Sequence, residues 1–240
     1  MTQAIELLRP SQIEAALKER SLVYLPLGTI EWHCEHLPVG LDGLTAHGIC
    51  RRAAKTSGGL VWPTLYYGTG GDHGDYPWTV MMEGSRELEA LLGKTLKRLA
   101  ALDVRRVVLF SGHFAEGQLE LIDRLAADAN AQLGLSVVAT AVNRFDIPGF
   151  APDHAGRFET TLLAGLHPDA VDIGALPAID HGDDERDRHD RASPLWGVIG
   201  ADPRNAMLSE GPRLVEEIAA RLAALALEAE PKMTRAVQGT

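Results

Sequence analysis

Short apolar runs alternate along this chain with longer stretches whose apolar positions repeat at helical spacing. The runs "LVYLPL" (22–27), "GLVWPTLYYG" (59–68), "RRVVLFSG" (105–112) and "LSVVATAV" (135–142) are rich in Val, Leu and aromatics and predict buried strands. Between them, "GSRELEALLGKTLKRLAAL" (84–102) sets Leu88, Leu91, Leu92, Leu96 and Leu99 on one helical face. The stretch 115–134 does the same with Leu119, Ile122 and Leu125. "SEGPRLVEEIAARLAALALEAE" (209–230) predicts a long C-terminal helix with Ser209 as N-cap and Pro212 in its first turn. Strands separated by helices predict an α/β fold, a mainly parallel sheet with helices on both faces. The charged segment 180–205 is expected to be a long surface loop or an oligomer contact.

Three polar clusters directly follow predicted strands: 28–42 ("GTIEWHCEHLPVGLD"), 67–78 ("YGTGGDHGDYPW") and 111–117 ("SGHFAEG"). In a doubly wound sheet the carboxyl ends of the strands are where ligands gather, so the three clusters are expected on one side of one sheet. Glu31 and His33 are two positions apart and leave an extended segment on the same face. Asp42, beyond a proline-containing turn, and His113, at a neighbouring strand end, can join them. Imidazole and carboxylate together suit zinc, manganese, iron or cobalt without choosing among them. Taken singly, each of these residues is better read as a solvated loop side chain, and a lone Glu-x-His is a weak metal signal.

Composition narrows the function without naming it. The 240 residues are 45% hydrophobic and 23% charged, within reach of one α/β domain spanning 1–240. A net charge of −10 argues against a nucleic-acid or membrane-surface partner, either of which needs a cationic face. The first twenty residues have no signal-peptide core and no later run is long enough to span a membrane, so a cytoplasmic location is expected. With only Cys34 and Cys50, reduced free thiols are expected rather than a disulfide framework.

The same residues resemble the creatininase-like amidohydrolases. That family's first motif, P-x-G-[ST]-x-E-x-H-G-x-H-L-P-x-x-x-D, is met at Pro26, Gly28, Thr29, Glu31, His33, His36, Leu37, Pro38 and Asp42. Its second, a strand followed by G-H, is met by "LFSGHFAEG" with His113, and its third, H-A-G-x-x-E-T, by His154, Ala155, Gly156, Glu159 and Thr160. "GVIGADPRNAMLSEG" is similar to its C-terminal segment. The motifs occur in order from about residue 22 onward.

The resemblance implies a three-layer α/β/α sandwich of creatininase type with two divalent ions per subunit (Zn, Mn or Fe). Glu31 and His113 would hold one ion and His33 the other, with Asp42 bridging them. A metal-activated water would hydrolyse a C–N bond of a small cyclic amide, formamide or related molecule, with His154 as proton shuttle. Glu159 would act beside His154 or on a metal. A homo-oligomer, a hexamer by family likeness, is also implied; His181 and His189 of the charged loop are expected in solvent or, in such a hexamer, bordering a neighbouring subunit's site. His36, His73, Tyr76, Trp78 and Phe114 are the expected substrate contacts. Asp72 and His73 belong to the pocket loop, with Tyr76 and Trp78 as walls, although a turn held by Asp side chains accounts for that segment equally.

Two departures stand out. Ala115 occupies the position, two after the second-motif histidine, where creatininase itself has a carboxylate. Glu159, or less favourably Glu116, is the candidate replacement. Cys34 and Glu35 stand where Gly-Pro is usual, which would bring a thiol or a further carboxylate near the metals. These departures leave two alternatives to the amidohydrolase: a metal- or ligand-binding member without catalysis, and another metal-assisted reaction such as lactone opening or sugar isomerisation. His47 is expected in packing or at the surface, Trp196 in the core or an interface, and His167 at a helix end, where a cation suits the dipole.

Overall fold

The computed structural model describes residues 4–178 and 184–228. In chain order its main elements are α1 (Pro10–Glu19), β1 (Leu22–Leu27), α2 (Leu41–Ser57), β2 (Leu60–Val61), β3 (Gly68–Thr69), β4 (Met81–Met82), α3 (Arg86–Ala100), β5 (Arg106–Ser111), α4 (Glu116–Gln132), β6 (Ser136–Ala141), α5 (Arg157–Leu166) and α6 (Gly211–Glu228). The central sheet is parallel, in the order β2-β1-β5-β6.

The two-residue alternation of side chains decides what each face packs against. Leu22, Tyr24, Val108 and Phe110 point to one side and meet Ala46, Ile49, Cys50 and Ala53 of α2 and Leu214, Val215, Ile218 and Leu222 of α6. Val23, Leu25, Leu27, Val107 and Leu109 point to the other and meet the α3 leucines Leu88, Leu92, Leu96 and Leu99 together with Leu121, Ile122 and Leu125 of α4. Helices thus cover both faces, giving the α/β/α sandwich. Each fully buried Leu or Val in these layers is worth roughly 1.5–3 kcal/mol relative to exposure. No helix among the described residues is long and apolar enough to cross a membrane.

The expected strand over 59–68 is broken into pieces. Leu60–Val61 pairs with β1, but Pro63 has no amide hydrogen for the ladder, and pairing resumes only as an isolated bridge between Leu65 and Leu27. Gly68–Thr69 then leaves the main sheet to pair in parallel with Met81–Met82. This small sheet, not foreseen in the sequence, anchors both ends of the loop that carries Asp72 through Val80. Ser209 does not cap the last helix: it lies inside a 3-10 turn, Leu208–Glu210, that runs directly into α6 at Gly211, with Pro212 in the first helical turn as expected. The predicted end of that helix at 229–230 and His181 fall outside the described residues. The charged segment is only partly a surface loop, since Arg188, Leu195 and Val198 are buried in it.

In β1 and β5, Leu27 and Ser111 stand opposite one another, so both strands end level. The next residues are Gly28 and Gly112, and the first turn of α2 is wedged against both. A side chain on Gly28 would overlap the Gly43 backbone, and one on Gly112 would overlap the Asp42 carbonyl oxygen. Gly112→Ala is therefore expected to lower stability by about 1–3 kcal/mol through overpacking. Gly74→Ala, where a Cβ meets nothing within 4 Å, is expected to change little. Chemical denaturation of the two variants measures the difference, and equal stabilities would contradict the close approach.

Candidate metal centre and active site

The glycine contacts bring Asp42, in the first turn of α2, to the mouth of the two central strands. Glu31 and His33 follow β1 in a loop tied down by Glu31 N–H donating to Val39 O (2.9 Å) and Trp32 N–H to Thr79 Oγ1 (2.9 Å). His113 follows β5. His154 is paired through its backbone with Ile199, and Glu159 lies in the first turn of α5, whose Phe158 and Glu159 amides donate to Asp153. These side chains converge. Glu31, Asp42, His73, His113, His154 and Glu159 share a cavity of about 260 Å³ whose walls include Phe114, Pro152 and Ile199. His33 lies fully buried behind it.

The spacings are those of ligands to common ions. His113 Nδ1 is 3.0 Å from Glu31 Oε2 and 3.4 Å from Asp42 Oδ2. His33 Nε2 is 3.3 Å from Asp42 Oδ1 and 3.7 Å from Glu159 Oε2. Two atoms bound about 2.1 Å from one ion at octahedral to tetrahedral angles stand roughly 3.0–3.4 Å apart. Among the described residues, three overlapping groups of donors are close enough to hold a cation: Glu31, His33 and Asp42; His33, His154 and Glu159; and Glu31, His73 and His154. Glu31 Oε2, His33 Nε2 and Asp42 Oδ2 are buried without a hydrogen-bond partner. Such orphaned atoms are costly in a protein interior unless a cation or proton takes them up.

Tautomers point the same way. His33 Nδ1 faces Glu31 O (2.9 Å), His73 Nε2 faces Gly197 O (3.0 Å), His154 Nε2 faces Trp32 O (2.9 Å) and His113 Nε2 faces the Thr69 and Gly70 carbonyls (both 3.3 Å). A carbonyl can only accept, so each of these nitrogens carries the hydrogen and donates it. The opposite nitrogen of every ring is left for the cluster, the arrangement by which outer hydrogen bonds orient histidine ligands.

The charges are coupled. Burial works against ionising Glu31 and Asp42, but the neighbouring imidazoles outweigh it: His113 and His73 hold Glu31 well below the carboxylate range, and His33 and His113 hold Asp42 down. Burial likewise opposes a proton on His33, yet Asp42, Glu159 and Glu31 lift it to about 10. His113 rises in the same way, against burial, through Asp42 and Glu31. Glu159 is pushed up, by burial first, and accepts from the Ala155 amide (2.6 Å). His154 is pushed down to about 3 by burial and by the charge on His33.

Several expectations need correction. His36 does not reach the cavity; its ring is buried against Thr160 Oγ1 (2.9 Å), so it braces the first motif on α5 instead of meeting a ligand. Trp78 is 79% exposed and lines no part of the cavity. Glu35 and Glu116 are exposed and also lie outside it. Tyr76 stands behind His73, edge to ring at 4.7 Å, and stacks on Trp196, while Phe114 lies on the cavity wall. His47 is half-buried against Thr64 Oγ1 (3.1 Å); His167 and His189 are exposed, His167 as the C-cap of α5. Asp153, Trp32 and Gly197 went unrecognised in the sequence, because two of them act through main-chain carbonyls that any residue possesses.

Donor clusters of this kind at the strand ends of a parallel α/β/α sandwich are those of a metal-dependent enzyme, and similarity to known proteins supplies its class, a hydrolase acting on a C–N bond. Residues 6–226 match the sequence profile of the family described as Creatininase: Creatinine amidohydrolase. The chain is 29% identical over 184 residues to creatinine amidohydrolase of Pseudomonas putida, covering 67% of this chain and 69% of that one. It is 28% identical over 218 residues to the mycofactocin precursor peptide peptidase of Mycolicibacterium smegmatis, covering 82% and 81%. A crystal structure of creatinine amidohydrolase (creatininase) superposes with TM-score 0.74 at 24% identity, over 96% of this chain and 99% of that one. A structure of manganese creatininase gives 0.75 at 22% identity, over 96% and 100%. This chain belongs to the creatininase family.

Protons and cations compete for the same atoms here. Metal uptake at neutral pH is expected to release protons from His33 and His113, so that apparent affinity rises with pH. Calorimetry in buffers of different ionisation heat reads this directly, and a binding heat independent of buffer would contradict it. In the ion-free protein the raised His33 value contributes stability that is complete below about 6.5 and lost as pH rises through about 10.

Proposed function

We propose that this protein hydrolyses a C–N bond in a small cyclic amide, a formamide or a related non-peptide molecule, using two divalent ions. The carrying observation is the set of orphaned buried atoms on Glu31, His33 and Asp42, aimed at one another beside a cavity of about 260 Å³. Glu31, His113 and Asp42 would hold one ion; His33, Asp42 and Glu159 would hold the other. The donor set of imidazoles and carboxylates suits zinc, manganese or iron, and a manganese form is known for the related creatininase. Divalent ions at such a site lower the pKa of water and polarise a carbonyl oxygen.

The protein's own groups do the rest. Burial keeps His154 uncharged at neutral pH, and Trp32 O fixes its hydrogen on Nε2. Nδ1 is thereby left as a proton acceptor, able to take a proton from water and return it to the departing nitrogen. Glu159, buried and raised, is ionised most readily when a cation faces it, which favours its use where Ala115 offers no oxygen. Phe114, Pro152 and Ile199 supply the apolar walls that limit the substrate's size.

Glu31→Gln and His113→Ala are expected to lose bound metal, read by elemental analysis after dialysis. His154→Ala is expected to retain both ions and lose about 10²–10⁴-fold in turnover. A screen over lactams, formamides, imidazolones, lactones and short peptides supplies the substrate for that assay. Turnover confined to peptides or lactones would overturn the small-amide reading, as would a fully active His154→Ala.

A further inference from the structure

The Glu31 carboxylate has two working oxygens. Oε2 faces His113, while Oε1 lies 3.2 Å from Nδ1 of His73, a residue expected from the sequence only as a substrate contact in the pocket loop. We propose that His73 is itself a metal ligand, adding its Nδ1 to the ion-binding face of Glu31. This rests on the metal-centre reading above and extends it to a residue outside the three motifs.

Three features carry the assignment. Nε2 of His73 sits 3.0 Å from the Gly197 carbonyl, so its hydrogen is donated there and Nδ1 is the nitrogen turned toward Glu31. Nδ1 and Glu31 Oε1 thus face each other at 3.2 Å, the spacing of two donors on one ion, and with His154 they form a group close enough to hold a cation. The ring is also only 5% exposed, so bulk water does not compensate for the opposed atoms. Finally, its position is enforced from both sides. Gly70 and Gly71, at φ of +77° and +96°, turn the chain over Ala115, where added Cβ atoms would stand 3.5 Å from the Ala115 methyl. Gly197, at φ +84°, has no room for a side chain because the Trp32 and Tyr76 rings occupy that space. A small residue at 115 thus leaves room for the turn that delivers His73. A further nitrogen donor shifts the site away from magnesium and calcium, which prefer all-oxygen shells, and toward zinc, cobalt or iron(II).

The test compares the wild-type chain with His73→Ala, His73→Gln and Ala115→Leu. Zinc affinity is measured by competition with a chromophoric chelator, and the visible absorption of the cobalt(II)-loaded protein is recorded. His73→Ala is expected to weaken one ion at least tenfold and to alter the cobalt bands. Ala115→Leu, which crowds the Gly70–Gly71 turn without removing a donor, is expected to move affinity in the same direction. His73→Gln is read in the same way should the alanine variant fail to fold. Two ions bound as tightly as in the wild type, with unchanged cobalt bands, overturn this assignment alone. If the wild-type chain takes up no zinc at all, the metal-centre reading falls and this assignment with it.

Discussion

The structure turns on the mutual neutralisation of buried carboxylates and imidazoles at the level ends of β1 and β5. Glu31 and Asp42 are each 1% exposed, and His33 is not exposed at all. An isolated ionised group in such a place is prohibitively costly. The cluster persists because each carboxylate oxygen faces an imidazole nitrogen. A divalent cation satisfies the same atoms better than protons do, since it can be shared among more than two donors. The rest of the chain is arranged to hold those donors at ligand spacing. Gly28 and Gly112 let α2 close on the strand ends, and Asp153 holds the first turn of α5 where Glu159 projects inward.

Carbonyls from three separate segments fix the imidazoles, which couples the centre to its surroundings. The loop after β1 supplies the Glu31 and Trp32 carbonyls, the β3 turn supplies those of Thr69 and Gly70, and the segment before α6 supplies that of Gly197. A continuous series of rings reinforces these bonds. His33 lies 4.4 Å from His154, His154 stacks on His73 at 4.1 Å, and Tyr76 and Trp196 continue the series to Trp32. Trp32 Nε1–H closes it by donating to Trp196 O (2.9 Å). The charged segment that reads as a surface loop is therefore clamped onto the centre, with Gly197 N–H donating to Arg188 O (2.7 Å) and the Arg188 guanidinium donating to Gly200 O (2.7 Å).

Much of this was legible in the sequence because the physics involved is local. Apolar periodicity located β1, β5, β6, α3 and α4 to within a residue or two, and the rule for strand carboxyl ends gathered the three polar clusters on one side. Pro63 should have split the run 59–68, but hydrophobicity alone hides a missing amide. What stayed illegible was non-local or carried by the main chain. The β3–β4 pairing is only two residues long on each side and has no alternation to detect. His36 and His33 are alike in the motif, yet three positions of turn send one ring to Thr160 and the other to Asp42. Trp78 looked like a pocket wall because it is aromatic and nearby, whereas its backbone, at φ +61°, carries the ring out to solvent.

Backbone strain resolves the question raised by Cys34. It sits at φ +59°, and Ala155 at +52°, so the residues directly after His33 and His154 both adopt the left-handed conformation. That conformation costs a non-glycine residue roughly 1–2 kcal/mol and persists only where surrounding contacts overdetermine it. Here the two positions belong to one apolar cluster, in which Cys34 and Ala155 pack with Leu37, Leu41, Leu163 and Leu195. The thiol is 5% exposed, and burial raises its pKa, so it remains a protonated apolar plug. Cysteine appears in none of the donor groups among the described residues. The residue that stands where glycine is usual therefore adds packing beneath the centre, and the soft ligand that the sequence allowed at this position is not part of it.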